Sequence, residues 1–180
     1  VIIMSNEQKV TRKLRAILSA DVKGYSILMA DDEIFTIKTI KEYRNIIFNY
    51  INQYNGRIVD SPGDNLLAEF ASAVDAVQCA VEIQNKLKKE NERLVENKRL
   101  EFRIGVNIGD VVHDEDRIYG DGVNIASRIE GLADPGGVCL WRGLCRGERA
   151  SFRRFPGNVA LAGLPATGGR ESCRTVPPDD

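Results

Sequence analysis

With one histidine in 180 residues, His113, and four scattered cysteines (Cys79, Cys139, Cys145, Cys173) that form no C-x-x-C pair, the chain lacks a zinc ligand set and a disulfide framework. Charge of one sign is missing too: 25 Lys and Arg stand against 26 Asp and Glu, for a net charge of −1 and a pI near 6.0. No global basic field therefore draws the chain to nucleic acid or an anionic membrane surface, and any phosphate binding must be local. The basic run Lys86-Leu87-Lys88-Lys89 is followed by Glu90, Glu92 and Glu96, the pattern of a solvated helix face rather than a nucleic-acid surface. No apolar stretch approaches the ~20 residues of a membrane span, and Val1-Ile2-Ile3-Met4 is too short for a signal-peptide core, so a cytoplasmic domain is expected.

What is present is the material of one folded domain: 43% hydrophobic and 28% charged residues. Arg15 to Ser19 reads as a strand that carries Asp21 at its end and stops at Gly24. Ile37, Ile40, Ile47, Tyr50, Ile51 and Tyr54 recur at helical spacing before Asn55-Gly56. Arg57 to Val59 and Asn65 to Phe70 flank Ser61-Pro62-Gly63-Asp64, a hairpin with an acid at its bend. Ser72 followed by Asp75 resembles a helix cap, and Val74, Val77, Val81, Gln84 and Leu87 trace one face. Residues 102–109 alternate with period two, and Gly109-Asp110 suggests a turn into a further strand, Val111 to His113. Gly120-Asp121-Gly122 opens a helix closed by Asp134-Pro135-Gly136-Gly137. The order β-α-β-β-α-β predicts an α+β, ferredoxin-like antiparallel sheet covered by helices on one face.

Three segments follow from composition: an N-terminal extension (1–13), the domain itself (14–140) and an irregular tail (141–180). All nine lysines lie at or before Lys98, whereas Arg142 to Arg174 holds seven arginines among Gly, Ala and Pro with no periodicity. The tail reads as a linker or as sequence translated out of frame.

Asp21 and Asp64 each lie beside a glycine, Gly24 and Gly63, where backbone amides can approach phosphate oxygens. Carboxylates so placed suit Mg²⁺, which is held by one or two acids plus phosphate oxygens. Either acid alone is adequately explained as a solvated turn-former. The combination says more, because Ala20-Asp21-Val22-Lys23-Gly24-Tyr25-Ser26, then Gly63-Asp64, then Tyr119-Gly120-Asp121-Gly122-Val123-Asn124-Ile125-Ala126-Ser127-Arg128 occur in order at domain-scale spacing.

From about Leu14 to Cys139 these motifs resemble the class III nucleotidyl cyclase family, whose catalytic domain is palm-like. The resemblance implies that Asp21 and Asp64 hold two divalent cations, Mg²⁺ or Mn²⁺, with Gly24, Tyr25, Ser26 and Gly63 around the triphosphate. It also implies that Asn124 orients the ribose and Arg128 stabilises charge on the reacting phosphate. The implied reaction is conversion of ATP to 3′,5′-cyclic AMP and pyrophosphate at sites shared across a head-to-tail homodimer, within a longer signalling protein.

The chain departs from the adenylate-forming pattern at the base-reading positions, where Asp60 replaces a Lys and Arg117 an Asp, and at Asp110, where some members place an Arg. The late Lys that holds triphosphate has no counterpart in the tail. Guanylate specificity and a weakly active or inactive nucleotide-binding and dimerisation module are the corresponding alternatives. A diguanylate-cyclase relationship is disfavoured by the absence of a G-G-[DE]-E-F hairpin. His113 has no sequence neighbour to work with and reads as structural.

Overall fold

The computed structural model describes residues 12–114, 117–141, 159–163 and 172–175. Its elements are β1 (Arg12–Val22), α1 (Tyr25–Asp31), α2 (Glu33–Gln53), β2 (Arg57–Asp60), β3 (Leu66–Phe70), α3 (Ala73–Asn91), β4 (Phe102–Asp114), β5 (Arg117–Tyr119), α4 (Asp121–Glu130), β6 (Val138–Trp141), β7 (Val159–Gly163) and β8 (Ser172–Thr175). They build one eight-stranded sheet in the order β2-β3-β1-β4-β6-β7-β8, with β5 paired to β4. The half that carries the sequence motifs, β2-β3-β1-β4, is antiparallel as expected, whereas β6 joins β4, and β7 joins β6, in parallel. The expectations for residues 1–11 and for most of 142–180 lie outside the described residues.

Strand alternation sorts β1 between two faces. Ala16, Leu18, Ala20 and Val22 join the main core with Ile40, Tyr43, Ile47 and Ile51 of α2 and Ala76, Val77, Ala80 and Ile83 of α3. Ile17 turns the other way, into a smaller cluster with Val111, Ile118 and Ala126 of α4. Helices therefore cover both faces, which corrects the expectation of a single covered face. α4 is too short to have an obvious place from sequence, and it lies opposite α2 and α3.

The expected turn at Gly109-Asp110 is likewise absent. β4 runs unbroken for 13 residues, and its register with β1 is continuous from Val22↔Phe102 to Arg12↔Val112. Gly109 serves close approach, since a β-carbon there would sit 2.8 Å from the Gly122 Cα of α4. Gly105 does the same one helical turn on, where a β-carbon would meet the Ala126 carbonyl oxygen at 2.4 Å. The alternating Gly105-x-Asn107-x-Gly109 stripe lets the α4 backbone lie on the sheet. Asn107 then anchors it by donating from Nδ2 to the Gly122 carbonyl at 3.0 Å.

Two caps end the long helices cleanly. Asp32 accepts from the Phe35 amide at 3.1 Å, and Ser72 accepts from the Asp75 amide at 3.2 Å. Buried Gln84 ties the start of β4 to the loop before β6, donating to the Phe102 carbonyl at 2.9 Å and the Gly137 carbonyl at 2.8 Å.

Candidate active site

Asp21 sits on β1 one residue beyond Ala20, which pairs with Leu66 at the start of β3. That register brings the end of β1 level with the β2–β3 turn carrying Asp64. Gly63 adopts φ +57, a left-handed conformation that side chains disfavour, and Asn65 donates back to the Pro62 carbonyl at 3.0 Å. The turn is also tied to α2: Arg44 Nε donates to Ser61 Oγ at 3.0 Å, and its Nη2 donates to the Ser61 carbonyl. Asp64 is thus held on a braced turn, partly exposed.

A guanidinium pairs with Asp21. Arg103, the direct β4 partner of Asp21, donates from Nε to Oδ1 at 2.9 Å and from Nη2 to Oδ2 at 2.5 Å. Its pKa is raised first by the hydrogen bond it donates to Asp21, with Asp64 among the charges adding to the effect. On the same side lies Glu130, the last residue of α4, buried and accepting from the Ser19 hydroxyl at 2.5 Å. Burial pushes the Glu130 carboxyl up to about 7, the Ser19 hydrogen bond opposing this and the Asp21 charge adding to it. Ser19 and Asp21 share a strand face, and Arg103 faces Asp21, so strand alternation delivers these three groups together.

Sequence motifs missed Ser19, Arg103 and Glu130. The available signal was Glu130 itself, a charged residue on the buried face of α4 beside Gly122, Ala126 and Ile129.

The remaining expected residues divide into separate places. Gly24, at φ +69, leads from β1 into α1; Tyr25 packs partly against the core and Ser26 is exposed. Asn124 and Arg128 are exposed, four residues apart on α4, on the side away from the buried stripe. The fold thus gathers Asp21 and Asp64 but turns Asn124 and Arg128 to solvent. Asp60 is exposed at the end of β2, its Oδ1 accepting from the Ser61 amide at 2.8 Å, and Arg117 is exposed on β5. Among the described residues no ion pair joins them. His113 does find a partner, with Nε2 lying 2.9 Å and 3.1 Å from the two carboxylate oxygens of Glu69, which also accepts from Arg57 Nε at 2.8 Å.

The donor set suits a hard cation. Asp21 and Asp64 offer only oxygen ligands, and among the described residues no group of three or more His, Cys, Asp or Glu forms a complete cage. Such a site must complete its coordination with phosphate or water, the habit of Mg²⁺ bound with a nucleotide.

Comparison with known proteins identifies the family. Residues 8–143 match the family described as adenylate and guanylate cyclase catalytic domain. The chain belongs to this family. A putative adenylate cyclase 3 of Rhizobium meliloti is 40% identical over 139 residues, covering 77% of this chain and 24% of that protein. The cyclase domain superposes on an adenylate/guanylate cyclase/hydrolase from Silicibacter pomeroyi with a TM-score of 0.73 at 39% identity, covering 78% of this chain and 82% of that one. The fold is shared with the guanylyl cyclase Cya2, with a TM-score of 0.72, 24% identity and 92% of each chain covered. The chain spans about a quarter of the length of the curated Rhizobium relative.

Proposed function

We propose that this cyclase domain converts ATP to 3′,5′-cyclic AMP and pyrophosphate in a homodimer with two shared sites. One observation carries the reading: strand register sets Asp21 level with the turn carrying Asp64, while Asn124 and Arg128 of the same chain face solvent, so a complete site calls for the exposed α4 face of a second chain. The ribose 3′-oxygen attacks the α-phosphorus, the bond from that phosphorus to the oxygen bridging to the β-phosphate breaks, and the 3′-hydroxyl proton leaves to solvent.

Asp21 and Asp64 hold the cations that neutralise the triphosphate and acidify the attacking hydroxyl. Gly24, Tyr25, Ser26 and Gly63 lie around the phosphates, where the two glycines and the turn amides leave room for oxygens. Asn124 orients the ribose. Arg128 supplies a fixed positive charge where charge builds on the transferring phosphate. Asp60 and Arg117 meet the base. ATP is favoured because the 40% identical relative is described as a putative adenylate cyclase.

The protein works in intracellular signal transduction, in the cytoplasm and alongside further domains, in keeping with a relative about four times the matched length. Among the described residues no helix is long and apolar enough to cross a membrane. The test is turnover of ATP and of GTP with Mn²⁺ or Mg²⁺ by purified protein. Formation of neither cyclic product would overturn the proposal, and cyclic GMP alone would reassign the substrate.

A further inference from the structure

Asp21 is met by the arginine fork of Arg103. The Arg103 fork engages both oxygens, at 2.9 and 2.5 Å, and the remaining terminal nitrogen donates to the Gly131 carbonyl at 3.4 Å, just past the end of α4. A cation coordinated at roughly 2 Å would compete with these N–H groups for the charge on the two oxygens and would be repelled by the guanidinium beside it. Arg103 and a cation at Asp21 therefore compete.

A second acceptor is within reach. Glu130 directly precedes Gly131, whose carbonyl Arg103 already contacts, and its carboxylate has the Ser19 hydroxyl as hydrogen-bond donor. The Arg103 side chain is 24% exposed, which leaves it room to move.

We propose that Arg103 is a gatekeeping counter-ion that closes Asp21 to cations in the nucleotide-free chain and opens it by shifting its guanidinium from Asp21 to Glu130. Metal loading is then an exchange of one arginine between two carboxylates, and Arg103 is a positioning residue rather than a catalytic one. The inference rests on the reading of Asp21 as a metal ligand. A purely orienting Arg103 would make Asp21 a better ligand, so the two roles give opposite signs on substitution.

The experiment is Mn²⁺ binding to the nucleotide-free full chain, read from the electron paramagnetic resonance signal of free Mn²⁺. Arg103→Met should bind Mn²⁺ about tenfold or more tightly than the native chain. Arg103→Lys should fall between them, because a single ammonium cannot cover both oxygens, and it carries the comparison if Arg103→Met does not fold. Glu130→Gln should weaken binding in the native background and have no effect in Arg103→Met. The gain from Arg103→Met should vanish when Asp21→Asn is added. Unchanged or weaker binding by both Arg103 variants, with binding lost in Asp21→Asn, would overturn the gate while leaving the metal reading intact. Binding by the Arg103→Met, Asp21→Asn double variant equal to that of Arg103→Met alone would remove the metal reading, and the gate with it.

Discussion

A β-carbon on Gly105 would lie 2.5 Å from the backbone nitrogen of Glu130, so β4 and the end of α4 are in direct backbone contact. That contact sets where Glu130 stands relative to Asp21. Gly105→Ala should push α4 off the sheet at a cost of about 1–3 kcal/mol, the usual penalty of overpacking. A lowered Tm together with reduced turnover is expected; an unchanged Tm would show that α4 is not seated as described.

Asn124 and Arg128 offer the opposite test. Both are exposed, so replacement of either by Ala should alter stability by no more than about 0.5 kcal/mol. Turnover should nonetheless fall about a hundredfold or more, the scale of losing one transition-state contact. Mixing Asp21→Ala chains with Arg128→Ala chains should restore activity, because a mixed dimer regains one intact site. No recovery in a mixture shown to exchange subunits would argue against shared sites.

Glu69 gives a pH dependence. Burial raises its pKa, but hydrogen bonds from Arg57 and His113 outweigh this and hold the carboxyl below its ordinary value of 4.5. A group lowered on folding stabilises the native state above its unfolded pKa and loses that contribution as pH falls through the folded value. The Tm difference between native protein and Glu69→Gln should therefore be full above about pH 5 and shrink progressively below it. A difference that persists undiminished in acid would contradict the assignment.

The role of Asp60 and Arg117 at the base is open to a substrate-ratio measurement. Arg117→Asp should change the ratio of rates on ATP and GTP by about tenfold or more, since a lost or reversed polar contact is read directly as discrimination. Equal effects on both substrates would place Arg117 away from the base.

Local pattern did not show α1 and β5, but by itself it determined the long helices α2 and α3, the hairpin whose bend carries Asp64 and the helix with Asn124 and Arg128. Each of these is encoded within a few residues: the Gly63-Asp64 bend, the Ser72 cap, the spacing of four on α4. Nonlocal geometry was not legible in that way. Gly109 looked like a turn former because a glycine's freedom and a glycine's smallness are the same feature in sequence, and only the packing of α4 shows that smallness was needed. α4 on the second face, the ion pair of Arg103 with Asp21, and Glu130 buried beside Ser19 all depend on strand register across 82 to 111 residues of chain. Local propensity carries no record of such distances; the shared pleat of β1 and β4 decides them.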